Sequence, residues 1–373
     1  MKKRIYLDNN ASTPIHPEII KNYKKNLALY GNPSSLHQEG RKARAAIEKA
    51  REDIAHIINA NPEQLIFTSS GCESNSQILQ SLCKNTLADQ LLYEASAHSS
   101  IRYTANYLSQ NNIETKSIEV DQLGHINQHV LKNKVTKKSL LSFLWANNET
   151  GTIQHVSELI NDTYPAPILY HCDAVQALGK VPIDCHKSNL DFLSFSSHKI
   201  YAPKGTGLIY CKDINQLKPL IQGPSHEQGL RPGTENIAGI IAFAQALQLL
   251  QDMDMSHIKT YKEKLLNNLQ NNLPQLIHIG DPINCLSNTL CLSFPHMNGH
   301  NLAISLDLEG IAVSTGSACS VGAIEASPVL KAMGIDENIN KSSIRISLGY
   351  FTTENDIDTT IQTITKIVKK HRS

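Results

Sequence analysis

Short apolar runs alternate with longer amphipathic stretches along the first two thirds of the chain. Residues 41–59 place Ile47 and Ile54 at helical spacing among charged residues, which predicts an amphipathic helix. Residues 65–68 (LIFT) follow as a short buried strand. Similar apolar runs predict further strands at residues 91–93, 140–145, 168–170, 192–195 and 208–210. This alternation indicates an α/β fold with a mostly parallel central sheet.

The pattern changes after a helix predicted over residues 237–250. Two strands are predicted at residues 289–294 and 343–348, and a last helix begins at about Glu354. At 373 residues the chain is about two and a half times the size expected of one domain. We therefore expect a large domain and a smaller α+β domain. The predicted boundaries are 15–252 for the large domain, and 1–14 together with 253–373 for the small one.

Composition and charge exclude several classes of protein. The chain is 40% hydrophobic, which is too apolar for a disordered protein, and its net charge of +1 attracts neither nucleic acid nor an anionic membrane. The basic residues 2–4 are followed by Asp8 before any apolar segment, which argues against a signal peptide. Apolar runs fall short of the ~18 residues that a membrane-spanning helix needs. We expect a cytoplasmic protein without membrane or direct nucleic-acid partners.

Cysteine and histidine spacing does not indicate a metal centre. The eight cysteines are scattered and form no CxxC pair, so we expect most of them to be buried thiols in a reducing compartment. The pairs His125/His129 and His296/His300 lack the glutamate that an HExxH zinc motif requires. The sequence therefore predicts no metal site.

Reactive side chains follow the ends of several predicted strands. His98, Asp173 and Lys199 each come after such a strand, where ligands of open α/β sheets bind. Each residue alone has a common alternative, since a lysine there is usually a surface residue and an aspartate usually caps a helix. Residues 69–75 open a helix whose free N–H groups suit a phosphate, although an ordinary N-cap is the alternative. A lysine, an acid and a phosphate cup are the parts that a pyridoxal phosphate enzyme needs.

Separated motifs along nearly the whole chain resemble the NifS/IscS-type cysteine desulfurases. They are residues 6–14 (YLDNNASTP), 31–35 (GNPSS), 147–151 (NNETG), 197–199 (SHK), 231–236 (RPGTEN), 316–319 (GSAC) and 343–345 (SIR). This resemblance implies a homodimer with the pyridoxal phosphate-dependent transferase fold of type I, in the class V aminotransferase group. It also implies a large domain with a sheet of the seven-stranded type.

The resemblance assigns roles around the ring of pyridoxal 5'-phosphate. Lys199 matches the lysine that forms the Schiff base, and Asp173 matches the acid that pairs with the pyridinium nitrogen. Gln176 would hydrogen-bond the ring hydroxyl. His98 would stack on the ring and act as the proton partner of the catalytic cysteine. Asn148 matches a residue that contacts both the cofactor and the substrate.

The resemblance also assigns the groups that bind the phosphate and the substrate. Gly71, Cys72, Ser196 and His198 match the phosphate cup, and Thr234 would reach the phosphate of the other subunit. Arg345 would hold the carboxylate of the substrate, which suits the two parallel donors of a guanidinium group. Relatives commonly have Thr where Cys72 stands and a glycine-rich run at residues 223–225 (GPS), so this chain departs from the family pattern at both places.

Cys319 is the predicted sulfur carrier. It lies in a run of small residues, 314–323 (STGSACSVGA), and a mobile, exposed thiol is what such a carrier requires. The other seven cysteines are expected to be buried structural thiols. The resemblance implies that L-cysteine is converted to L-alanine, that sulfur passes to Cys319 as a persulfide, and that an acceptor then takes it. This acceptor would serve iron–sulfur cluster assembly, as a scaffold protein, or tRNA thiolation, as an enzyme.

Two other functions remain open on the sequence. A cysteine or selenocysteine lyase would release sulfide or selenide directly, with Cys319 assisting but carrying no sulfur. A protein of this fold could instead be a non-catalytic scaffold or binding subunit. The presence of Lys199, Asp173 and Cys319 argues against the scaffold, and capture of a persulfide would separate the two enzymes.

Overall fold

The computed structural model describes residues 4–85, 87–135, 137–163, 166–316 and 326–372. The strands in these ranges are β1 (Ile5–Tyr6), β2 (Leu65–Thr68), β3 (Gln90–Glu94), β4 (Glu114–Ile118), β5 (Ser139–Leu144), β6 (Ile168–Asp173), β7 (Phe192–Ser196), β8 (Gly207–Cys211), β9 (Ile277–Ile279), β10 (Thr289–Ser293), β11 (Ile311–Ala312) and β12 (Ser343–Ser347).

The helices flank and connect these strands. They are α1 (Pro17–Asn26), α2 (Gln38–Ile57), α3 (Gly71–Lys84), α4 (Ser99–Gln110), α5 (Gln128–Lys134), α6 (Val156–Thr163), α7 (Ile237–Asp252), α8 (Ser256–Asn272), α9 (Gly299–Leu308), α10 (Pro328–Ala332), α11 (Glu337–Lys341) and α12 (Glu354–Arg372). Short 3-10 segments occur at Pro62–Gln64, Ser197–Lys199, Ile214–Gln216 and Glu227–Gly229. No helix in the described ranges is long and apolar enough to cross a membrane.

The central sheet has seven strands in the order β2-β8-β7-β6-β5-β3-β4. Strand β8 runs antiparallel to both of its neighbours, and the other neighbouring pairs are parallel. The predicted α/β fold with a mostly parallel sheet of seven strands is confirmed. Strand β4 was not predicted, because its sequence Glu-Thr-Lys-Ser-Ile is mostly polar and it forms an exposed edge of the sheet.

Consecutive residues of the central strands are buried on opposite faces of the sheet. Leu91 and Leu140 pack with helices α3 and α4, whereas Leu92 and Leu141 belong to the cluster that includes α2 and α7. All four side chains have an exposure of 0%. Helices covering both faces therefore explain why these strands are continuously apolar instead of alternating.

A third apolar cluster unites the beginning and the end of the chain. It includes Leu7, Leu265, Leu290, Ile344 and Ile357. Strand β1 pairs in parallel with β11, and β12, β10 and β9 form a separate antiparallel sheet. The boundaries expected at residues 15 and 252 stay a prediction.

Candidate active site

The polar residues singled out in the sequence gather at one edge of the central sheet. Asp173 is the last residue of β6, Lys199 follows β7, His98 follows β3 and Gly71 follows β2. These four strands run in the same direction, so their carboxyl ends lie at the same edge. Ligands of open α/β sheets bind at this edge.

A buried hydrogen-bond chain joins Asp173 to His98. The Asn75 amide donates to Asp173 Oδ2 at 2.7 Å and to Ser100 Oγ at 2.9 Å. Ser100 Oγ lies 2.9 Å from His98 Nδ1, and the backbone N–H of Ser100 donates to the same nitrogen at 3.2 Å. Because Nδ1 accepts a backbone hydrogen bond, the proton of a neutral His98 lies on Nε2.

The surroundings of His98 favour its neutral form. Burial lowers the pKa of its imidazole, and the neighbouring Lys199 and Arg102 lower it further, although Asp173 opposes them. A neutral ring with a bound Nδ1 can exchange a proton at Nε2 without first having to lose a charge. Position and charge therefore agree with the predicted role of His98 in proton transfer.

Asp173 is a buried carboxyl group with neutral hydrogen-bond donors. Besides the Asn75 amide, the backbone N–H of Val175 donates to Oδ1 at 3.0 Å. A buried carboxylate is costly unless a cation accompanies it. A protonated pyridine nitrogen would provide that cation, so Asp173 fits the predicted ring partner.

Lys199 rests on the N-terminal segment of the chain. Its Nζ donates to the backbone carbonyl of Asn10 at 2.6 Å and to that of Ala11 at 2.9 Å. The Asn10 side chain is 1% exposed, and its amide donates to the carbonyl of Asn148 and to Thr289 Oγ1. Asn10 thereby ties Lys199 to the segments that carry Asn148 and Thr289, and Arg345 donates to the same Asn148 carbonyl.

Gln176 and a second lysine complete this network. Gln176 Nε2 donates to the Asn10 carbonyl at 2.8 Å, and Lys180 Nζ donates to Gln176 Oε1 at 2.7 Å. Burial, with Lys199 and Arg345 nearby, lowers the pKa of Lys180 to about 7. Lys180 and Lys199 line one cavity of about 70 Å³.

Arg345 lies on β12 with 4% exposure. Its Nη2 donates to Asp8 Oδ1 at 2.6 Å and its Nη1 to the Asn148 carbonyl at 3.1 Å. Its Nε is buried and has no hydrogen-bond partner among the described residues. An unsatisfied donor on a buried guanidinium group suits an incoming carboxylate.

The start of α3 forms a cradle at the same edge. Ser70 accepts from the N–H groups of Glu73 and Ser74, which leaves those of Gly71 and Cys72 as first-turn donors that Ser70 does not cap. A Cβ atom on Gly71 would lie 2.7 Å from Val175, so only glycine fits there. The cradle can receive an anion such as a phosphate group.

The other predicted phosphate ligands, Ser196, His198 and Thr234, differ in their burial and contacts. Ser196 is the buried last residue of β7, 3.6 Å from a Cβ placed on Gly71. Two residues further along the chain, His198 Nδ1 lies 3.2 Å from Ser12 Oγ, and burial lowers the pKa of this ring to about 4. Thr234 is exposed on the loop before α7.

Cys319 lies outside the described residues, but both flanks of its segment are described. Ser314, five residues earlier in the chain, exchanges two backbone hydrogen bonds with Arg345. Ser327 Oγ donates to the buried Glu149 carboxyl at 2.5 Å, and a Cβ on Gly316 would collide with the same carboxyl group. Burial raises the pKa of Glu149 to about 7.

The expectation that the other seven cysteines are buried is wrong at two positions. Cys72 is exposed because it lies in the first turn of α3 at the mouth of the cradle, and Cys285 is half-buried. Burial, with Asp173 and Glu73 nearby, raises the pKa of the Cys72 thiol. The buried cysteines are Cys83, Cys172, Cys185, Cys211 and Cys291.

Sequence reasoning missed the contributions of Asn10 and Lys180. Asn10 stands inside the 6–14 motif, but its contacts to residues more than 130 positions away follow only from the tertiary structure. Lys180 follows Gln176 by four residues, the spacing at which side chains meet on one helical turn. That spacing was a usable signal for Lys180.

Comparison with known proteins covers almost the whole chain. The family model described as aminotransferase class-V matches residues 5–360. Cysteine desulfurase IscS of Dictyoglomus turgidum is 35% identical over 380 residues, covering 100% of this chain and 96% of that protein. The solved structure of a NifS-like protein has a TM-score of 0.92 at 33% identity, covering 99% of this chain and 100% of that one. A structure of SspA in complex with cysteine has a TM-score of 0.84 at 29% identity, covering 94% and 100%.

These matches confirm the resemblance found in the sequence motifs and the fold type I that it implies. They extend over the central sheet as well as the sheet that carries Arg345. Sequence and backbone therefore agree over both groups of strands that meet at the site. The protein belongs to the class-V aminotransferase family, among its IscS/NifS-like cysteine desulfurases.

Proposed function

We propose that this protein converts L-cysteine to L-alanine with pyridoxal 5'-phosphate as its cofactor and passes the sulfur to Cys319 as a persulfide. One observation carries the proposal. Lys199 and the buried acid Asp173 lie at the same end of the central sheet, and the incompletely bonded Arg345 donates to the Asn148 carbonyl that also accepts from Asn10, whose own carbonyl accepts from Lys199. The relative solved in complex with cysteine supports the choice of substrate.

The residues present fit the cofactor. Asp173 would pair with the ring nitrogen, Gln176 would face the ring hydroxyl and His98 would lie against the ring. Gly71 with Cys72, Ser196 and His198 would hold the phosphate, as donors at the edge where α3 begins. When bound, the cofactor withdraws electrons from the α-carbon of the substrate, which makes the neighbouring bonds easier to break.

The chain's own groups can then orient the substrate and move its protons. Arg345 binds the substrate carboxylate, with Nε and one terminal nitrogen as a fork, and Asn148 contacts the substrate beside it. The Lys199 amine takes up and returns a proton at the α-carbon. His98 exchanges a proton at Nε2, the nitrogen left available by the Ser100 hydrogen bond to Nδ1.

Transfer of the sulfur balances without any further reactant. The Cys319 thiolate attacks the sulfur of the bound L-cysteine, and an S–S bond forms as the carbon–sulfur bond breaks. The electron pair of that bond stays with the substrate carbon, which gains a proton and becomes L-alanine. The products are alanine and a persulfide on Cys319, and no oxidant is required.

The persulfide must then pass to a second thiol. We propose a protein acceptor that serves iron–sulfur cluster assembly, with a tRNA-thiolation enzyme as a further recipient. We also propose that the protein is cytoplasmic and forms a homodimer. The exposed Thr234 supports the homodimer, because it is available to complete the phosphate site of a partner subunit.

The test compares cofactor-loaded wild type with the Cys319→Ala variant and a matched control, Cys285→Ala. Each is supplied with L-cysteine and a thiol reductant, and alanine and sulfide are measured together. The proposal is supported if the wild type and Cys285→Ala each release alanine and sulfide in equal amounts and Cys319→Ala releases neither. Mass spectrometry after alkylation should find one added sulfur on the peptide with Cys319. If Cys319→Ala retains its turnover, direct release by a lyase replaces the persulfide route.

A further inference from the structure

A lysine outside the predicted cofactor ligands controls the orientation of one of them. Lys180 Nζ lies 2.7 Å from Gln176 Oε1 and 3.4 Å from Asn10 Oδ1. The charged groups that act on Lys180 are Lys199 and Arg345, which are also cations and lower its pKa. Lys180 has no carboxylate partner among the described residues, so ion pairing does not explain why a lysine lies beside two other cations.

The contact fixes the direction of the Gln176 amide. Below its lowered pKa of about 7 Lys180 is an ammonium group, which only donates hydrogen bonds, so the atom of Gln176 that lies 2.7 Å from it there is the oxygen. The NH2 group is then turned toward Asn10, where it donates to the carbonyl that also accepts from Lys199. Nε2 has two hydrogens, and this carbonyl is its acceptor among the described residues.

We propose that Lys180 is a positioning residue that holds Gln176 as a hydrogen-bond donor toward the cofactor site. A glutamine without this contact is free to present its oxygen instead, and a ring oxygen would then face another acceptor. Lys180 removes that alternative through the hydrogen bond to Oε1. The inference rests on the proposed function, because it concerns how this chain binds pyridoxal phosphate.

The test measures cofactor affinity and the visible absorption band of bound pyridoxal phosphate, and not activity. Lys180→Met keeps the length of the side chain but cannot donate, whereas Lys180→Arg donates only. We expect Lys180→Met to bind the cofactor about 10-fold more weakly, as for loss of a charge-assisted hydrogen bond, and to shift the band. Lys180→Arg should restore both properties toward the wild type. Circular dichroism of each cofactor-free variant checks that it is folded.

Repeating the Lys180→Met substitution in a Gln176→Ala variant distinguishes the positioning of Gln176 from a general effect of the Lys180 charge on cofactor binding. In Gln176→Ala the residue that Lys180 orients is absent, so adding Lys180→Met should change the affinity by less than about twofold. The same 10-fold loss in that background would overturn the proposal, as would an unchanged affinity and band in Lys180→Met alone. If the wild type itself takes up no pyridoxal phosphate, the proposed function fails instead.

Discussion

The ion pair between Arg51 and Glu227 should support both the phosphate cradle and the loop that carries Thr234. Their side chains are 5% and 1% exposed, and the two contacts measure 2.6 and 2.9 Å. Glu227 also accepts from the backbone N–H of Phe67, in the strand that leads into the cradle. The pair therefore joins α2, β2 and the loop before α7.

The perturbation is Arg51→Met, which removes the cation but retains an apolar stem over Phe67. Glu227 is then a buried carboxylate with the Phe67 N–H as a neutral donor. Breaking one side of such a pair costs about 3–5 kcal/mol of unfolding free energy. Adding Glu227→Gln should recover about 2 kcal/mol or more, because a neutral amide oxygen still accepts from Phe67 and no charge stays buried.

The assay is urea unfolding of the wild type, both single variants and the double variant, at one protein and cofactor concentration. The double-mutant cycle should show a strong favourable coupling between Arg51 and Glu227. Titration with pyridoxal phosphate should show weaker binding in Arg51→Met than in the double variant. A cost below about 1 kcal/mol for Arg51→Met, or two single effects that simply add, would refute this reasoning.

Three further changes test the site. Cys72→Thr replaces a weak S–H donor with a hydroxyl at the cradle, so pyridoxal phosphate should bind about fivefold more tightly in a dialysis titration; equal or weaker retention contradicts this. Arg345→Lys cannot form a forked contact, so KM for L-cysteine should rise about 10-fold or more, and steady-state kinetics with an unchanged KM would exclude Arg345 as the carboxylate ligand. Burial raises the pKa of Glu94 from 4.5 to about 7. Between these values the folded protein binds more protons than the unfolded chain, so stability falls as pH rises from about 4.5 to 7. In the wild type the free energy of unfolding should therefore fall by on the order of 3 kcal/mol between these two pH values, and Glu94→Gln should abolish this fall. If unfolding free energies measured across this pH range fall equally in both proteins, the prediction is contradicted.

The strands that build the site could be predicted because they are buried on both faces. Leu140 and Leu141 must both be apolar when helices cover each side of the sheet, and this gives a continuous signal. Strand β4 gave no such signal, because an edge strand with solvent beside it tolerates polar residues. The four-residue spacing of Gln176 and Lys180 is a local signal for their contact, but no local pattern specifies that Gln176 also donates to the distant Asn10 carbonyl.

The role of Asn10 could not be predicted from the sequence, because its partners lie far from it along the chain. Its side-chain amide donates to the Asn148 carbonyl and to Thr289, and its side-chain oxygen accepts from Asn288 and Lys180. These contacts fix the backbone at residue 10, and the backbone carbonyl then receives Lys199 and Gln176. The groups that face the cofactor site from this segment are therefore backbone atoms, which any residue carries. The side chain of Asn10 determines where they lie, so the identity of the residue matters although it supplies none of the chemistry.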